Sequence, residues 1–209
     1  ALEGNIPHTG DAIAWMLDIA AMPSEDEAPL SELPVRVPDS GGVYFVPALT
    51  GAGAPWWDEQ ARGVICGLSR GTRREHLVRA AFESVAYQIA DVIGVLRQQP
   101  GFALQGLMAD GGPSRNDWLM QFQADLLGCP VWRSNTAELS ALGAALMAMR
   151  SLWGATDRQL AALLPQHDEF KPDMQRHRQL QENYSAWRQA VQRTLWRPQT
   201  ASLMTGEQS

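Results

Sequence analysis

Between residues 103 and 152 short apolar runs alternate with amphipathic stretches, and that alternation narrows the folds open to this chain. Residues 103–109 read as a strand, 114–127 as a helix, 130–133 as a short strand and 138–152 as an alanine-rich helix. Strand, helix, strand, helix at this spacing predicts an α/β domain with helices packed on a sheet. Residues 73–98 give the clearest helix: Leu77, Ala81, Ser84, Val85, Gln88, Val92 and Leu96 form one mostly apolar stripe, and Pro100 stops it. Residues 9–22 read as a helix capped by Thr9, with Ile13, Met16, Leu17 and Ala20 at three- and four-residue spacing. Residues 42–49 are apolar and rich in β-branched and aromatic residues, hence a buried strand, and 64–68 form a second short apolar run. Pro23, Pro29, Pro34 and Pro38 make 23–40 a loop with one short helical turn. Residues 157–164 and 174–196 add two helices. The expected domain runs over 1–197, and the polar tail 198–209 is expected to be disordered.

The 209 residues, 45% apolar, suffice for one domain with a sizeable core. A net charge of -6 argues against a nucleic-acid partner, which selects a basic face. No run of about 18 apolar residues exists to cross a membrane. The start, Ala-Leu-Glu-Gly, lacks the basic and apolar regions of a signal peptide. Cys66 and Cys129 stand apart and read as free thiols of a reducing cytosol; His8, His76, His167 and His177 form no ligand pair, so no metal site is expected from this chain alone.

The most informative run is 107–120, LMADGGPSRNDWLM. A strand ends at Asp110, Gly111 and Gly112 follow, and a helix opens near Ser114. Glycine lets a ligand approach the main chain, and a helix start offers unpaired N–H groups and a positive dipole end. This is a nucleotide or phosphate cradle, or a plain turn capped by Ser114; both readings stay open. No G-x-x-x-x-G-K-[ST] occurs, and Gly51-Ala52-Gly53 fails as a dinucleotide fingerprint because Pro55 and Trp56 occupy the place of its third glycine and helix. The loop 50–58, TGAGAPWWD, is either a ligand lid or a segment pinned to the core by Trp56 and Trp57. Asp110 stands at a strand end, where catalytic groups project in α/β folds, whereas Glu83 and Asp91 on the long helix are expected to face solvent or an interface. The last helix carries Arg176, Arg178, Arg188 and Arg193, but Tyr184, Trp187, Leu180 and Val191 fit an apolar stripe, so it reads as a packed amphipathic helix.

Residues 63–83 read G-V-I-C-G-L, seven residues, then H-L-V-R-A-A-F-E. This resembles the carboxy-terminal signature of the FGGY carbohydrate kinases at Gly63, Gly67, Leu68, His76, Leu77, Ala80 and Glu83. Three further blocks fall in family order: ALEG at the start, PALTGAGAPWWD, and DGGPSRNDWLMQFQADLLGCPV followed by ELSALGAA, the second and third most similar to its glycerol kinase branch. The resemblance implies a ribonuclease H-like domain of the actin and hexokinase type, a mixed sheet flanked by helices, here lacking its first hairpin. It implies a cleft shared with an amino-terminal domain that binds the sugar or polyol and supplies an aspartate base. This chain would bind ATP, with Mg2+, and be inactive alone; homo-oligomers are possible. Carried over by motif position, Gly10 and Ala14 lie beside the nucleotide, Gly111 turns the chain, Gly112 meets the nucleotide through the backbone, and Asn116 hydrogen-bonds near adenine or ribose. Ala14 replaces the glutamine of glycerol kinase, and Pro113, Ser114 and Arg115 replace small apolar residues, which points to another polyol or a ketose. A non-catalytic nucleotide-binding module is the alternative.

Overall fold

The computed structural model describes residues 4–20, 32–136 and 139–195. In chain order the elements are α1 (Gly10–Ile19), a 3-10 turn (Leu33–Val35), β1 (Tyr44–Val46), β2 (Val64–Cys66), α2 (Arg74–Leu96), β3 (Leu107–Ala109), a second 3-10 turn (Gly112–Arg115), α3 (Asp117–Leu127), β4 (Val131–Ser134), α4 (Leu139–Trp153), α5 (Asp157–Ala161), β5 (His167–Phe170) and α6 (Met174–Thr194). β1 and β2 pair antiparallel, with Phe45 opposite Ile65. β3 and β4 run parallel, and β5 returns antiparallel to β4, with Val131 opposite Phe170. The expected α/β architecture, a mixed sheet with helices, is present.

Helix α2 is the centre of the core. Every residue of 78–87 is buried, so the single stripe expected of it is instead burial on all sides. Small residues make this possible: Ala80, Ala81, Ser84 and Ala86 let α1, α3 and β1 approach closely. Two carboxylates expected at the surface lie inside. Glu83 accepts from Arg79 Nε at 2.7 Å, and Arg79 also donates to the carbonyls of Pro34 and Val37 and stacks 4.1 Å from the centre of the Trp118 ring. Asp91 accepts from Tyr184 Oη at 2.7 Å, Trp187 Nε1 at 2.9 Å and Trp56 Nε1 at 3.4 Å. A buried charge survives only when paired or well hydrogen-bonded, and both are.

The strands are shorter than their apolar runs. Pro47, which has no N–H to give, follows directly on β1. β3 begins only at Leu107, after Gly106 passes so close to Trp132 that a Cβ there would lie 2.2 Å from the indole. β5, sequence HDEF, is polar and exposed; its pairing to β4 rather than any apolar pattern makes it a strand. Thr9 does not cap α1 through its side chain; Asp11 does that work, accepting the Thr9 N–H at 2.8 Å. In the loop after β1, Trp56 is half-buried and tied to Asp91, while Trp57 is exposed, so one tryptophan pins the loop and the other does not. Helix α6 is amphipathic as expected, burying Leu180, Trp187, Ala190 and Val191. Residues 21–31, with most of the proline-rich loop, and the tail from 196 lie outside the described residues, as do Ala1, Leu2, Glu3 and Glu138 of the motif blocks.

Candidate functional site

The carboxyl ends of the parallel strands β3 and β4 open onto a cavity of about 500 Å³. Asp110, Gly111 and Gly112 line one side; Ser134, Asn135 and Thr136 line the other. Crevices at this end of parallel strands are where open α/β sheets bind ligands. The turn over the cavity is built in steps. Asp110 Oδ1 accepts the Gly111 N–H at 2.7 Å, and Gly111 takes a φ of 91° that only glycine adopts without strain. Ser114 then donates both its N–H and its hydroxyl to the Gly111 carbonyl, at 3.2 and 2.7 Å, closing a 3-10 turn that Pro113 preorganises. The chain breaks at Asn116, whose side chain accepts the Leu119 N–H at 2.9 Å and so starts α3. Asn116, not Ser114, is the cap.

Arg133 fixes the opposite wall. It donates to Asp117 and Asp168, each at 2.6 Å, and to the Ser114 carbonyl at 3.1 Å, joining α3, β5 and the turn. Its hydrogen bond to Asp168 raises the guanidinium pKa, partial burial opposes this, and Asp117 adds to the rise. Asp110 and Ser114 also border a second, mostly apolar cavity of about 290 Å³, walled by Val85, Ile89, Leu119 and Met120.

Gly111 and Gly112 both line the larger cavity, and a Cβ built on Gly112 meets nothing within 4 Å. Gly10 opens α1 and abuts the turn: its Cβ position lies 3.5 Å from Pro113 Cγ. Ala14 is exposed one turn further along α1 and lines neither cavity. Asn116 is buried at the start of α3, its Oδ1 committed to Leu119, and it too lies outside both linings. Sequence reasoning missed Arg133, residues 134–136 and Asp168. The first four follow directly from the parallel pairing, since the carboxyl end of β4 and the residues after it must lie beside the carboxyl end of β3. Asp168 carried no signal, because it sits in the strand that no apolar pattern announced. Among the described residues, no group of three His, Cys, Asp or Glu is placed to hold a metal ion.

Four signature residues of 63–83, Gly67, His76, Ala80 and Glu83, are built into the fold. Gly67, at φ 80°, lies against β1's approach so tightly that a Cβ would fall 1.9 Å from the Gly42 carbonyl oxygen. His76 Nδ1 accepts the Arg73 N–H at 3.0 Å at the start of α2, Ala80 is buried beneath it, and Glu83 holds Arg79.

The mixed sheet, its flanking helices and its crevice have the ribonuclease H-like fold of the actin and hexokinase type found in carbohydrate kinases. The crystal structure of Plasmodium falciparum glycerol kinase with ADP matches 92% of this chain at a TM-score of 0.78 and 30% identity. Residues 1–152 match the C-terminal domain of the FGGY family of carbohydrate kinases, and the chain belongs to that family. It is 46% identical to apulose kinase of Pectobacterium atrosepticum over 95% of its length, and 46% identical to glycerol kinase 2 of Thermotoga maritima over 93%. It spans 40% and 39% of the length of those two relatives, and 38% of the Plasmodium enzyme.

Proposed function

We propose that this chain holds the nucleotide in an ATP-dependent kinase that phosphorylates a hydroxyl of a sugar or polyol. The observation that carries the reading is the bare main chain of Gly111 and Gly112 at the ends of β3 and β4, over a cavity that a side chain at Gly112 would enter. The cradle fits a nucleotide: its main chain is exposed, its carbonyl and N–H directions are fixed by Asp110 and Ser114, and its far wall is locked by Arg133. No group of three His, Cys, Asp or Glu among the described residues forms a metal cage, so Mg2+ would enter with the phosphates of ATP.

In phosphoryl transfer the protein contributes mainly positioning and charge stabilisation. Here Gly112 admits the ligand to the backbone, and the 3-10 turn holds that backbone still. The acids at the cavity are engaged: Asp117 and Asp168 bind Arg133, and Asp110 binds Gly111. Their commitment supports a general base supplied from outside this chain, on the domain that carries the acceptor. Relatives named for apulose and for glycerol stand at the same 46% identity, so the acceptor class is polyol or sugar. A cytosolic setting is supported by two free thiols, Cys66 and Cys129, and self-association by the exposed Met147, Leu152 and Trp153 of α4.

Two measurements test the reading. Calorimetry on the full-length polypeptide should show saturable ADP binding. A coupled assay on residues 1–209 alone, with ATP and a polyol and sugar panel, should show no turnover above a blank; turnover would place the acceptor site and base on this chain and refute the division of labour.

A further inference from the structure

We propose that His8 is a positioning residue for the nucleotide site: it clasps the start of α1 to Thr50, and through α1 it braces the Gly111 and Gly112 turn. The proposal rests on the nucleotide reading above.

His8 is buried in front of α1 and is bonded at both ring nitrogens and at its carbonyl. Its Nε2 lies 3.2 Å from the Thr50 N–H and 2.9 Å from Thr50 Oγ1. A backbone N–H can only donate, so Nε2 carries the lone pair and Nδ1 carries the proton. That Nδ1–H points at Asp11 Oδ2, 2.6 Å away on the first turn of α1. The other oxygen of Asp11 accepts the Thr9 N–H, and the His8 carbonyl accepts Gln88 Nε2 of α2 at 2.9 Å. The imidazole therefore joins the loop after β1 to the first turn of α1, and the main-chain carbonyl of the same residue ties them to the central helix.

Carboxylate, imidazole and hydroxyl in line also describe an activated nucleophile. Thr50, however, lines none of the cavities described above, so no substrate pocket faces its hydroxyl. What the clasp does reach is the cradle. Gly10 is two residues from His8 and one from Asp11, and its α-carbon faces Pro113 in the 3-10 turn next to Gly112. Thr9 itself borders the apolar cavity with Asp110, Pro113 and Ser114. A shift of α1's first turn moves the surface on which the glycine turn rests.

The test uses the full-length protein and ADP. Thr50→Val removes the hydroxyl at an exposed position without changing volume; Thr50→Ser restores it. His8→Gln places an amide oxygen near the position of Nε2, and His8→Ala removes every bond of the ring while leaving the carbonyl that accepts Gln88. Thr50→Val and His8→Ala should each raise the ADP dissociation constant about tenfold, since small misplacements of a binding surface are expensive. Thr50→Ser should bind as wild type and His8→Gln in between. The double variant His8→Ala, Thr50→Val should bind no more weakly than His8→Ala alone. If Thr50→Val and His8→Ala lower thermal stability but leave ADP affinity unchanged, the clasp is structural only and the proposal is overturned while the nucleotide reading stands. If wild type does not bind ADP, the nucleotide reading falls and takes the proposal with it.

Discussion

Trp187 of α6 donates its indole N–H to Asp91 of α2 at 2.9 Å, joining residues 96 positions apart inside the core. Tyr184 and Trp56 complete the set, so one carboxylate ties the last helix and the glycine-rich loop to the central helix. Burial raises the Asp91 pKa, and the Trp187, Tyr184 and Trp56 donors pull against that rise. Asp91→Ala leaves a buried indole N–H without an acceptor and should destabilise the fold by about 3 kcal/mol. Asp91→Asn keeps one acceptor oxygen and should lose less. Urea midpoints at unchanged slope give both values.

Gly67 should tolerate no side chain. A Cβ would lie 1.9 Å from the Gly42 carbonyl oxygen at a φ of 80°, so Gly67→Ala must part β1 from β2 or fail to fold. A loss of more than about 3 kcal/mol is expected. Gly71→Ala is the control: its Cβ meets only Ser69 Oγ at 3.8 Å, and its stability should change by less than about 0.5 kcal/mol. Thermal melts of the two variants separate the outcomes.

Adjacent glycines in the cradle should behave differently. Gly112→Val places its side chain in open space and should leave the melting temperature unchanged while weakening ADP binding tenfold or more, about 1.4 kcal/mol. Gly111→Ala must hold a φ of 91° and should destabilise the protein by roughly 1–2 kcal/mol even without ligand. Calorimetry with ADP beside a melt of each apo protein checks the pair. Unchanged affinity in Gly112→Val would remove the observation on which the proposed function rests.

Asp11 gives a pH dependence of known sign. Slight burial raises its pKa, but the hydrogen bonds from His8 and from the Thr9 N–H outweigh burial, and the net shift is to below 3.8. The folded state thus binds the Asp11 proton less readily than the unfolded state. The stabilisation is complete above pH 3.8 and drains away as pH falls through the lowered value. Asp11→Asn should therefore flatten the acid limb of a stability–pH profile and leave the alkaline limb unchanged.

Much of this was legible in the residues. Helix stripes placed α1, α2, α3 and α6 to within a few residues, and the glycines at 111 and 112 marked a turn with bare main chain. Strand ends were overrun because an apolar run continues past the last paired residue, as Pro47 shows. β5 was missed because HDEF has no buried face; only its pairing with Val131, Trp132, Arg133 and Ser134 makes it a strand. Of the candidate site, the glycine turn could be read directly, whereas Arg133 and Asp168 could not, since their meeting depends on which strands lie side by side.

By itself the sequence determined the family, the α/β class and the position of the glycine turn, because each is written in residues within one or two turns of one another. The tertiary structure alone decided which polar groups are interior. Asp91, Glu83 and Arg79 look like surface residues on a helix until donors and acceptors from Trp187, Ser40 and Pro34 close around them. Periodicity records a residue's neighbours along the chain, but whether a charge can be buried depends on partners that only folding brings within reach.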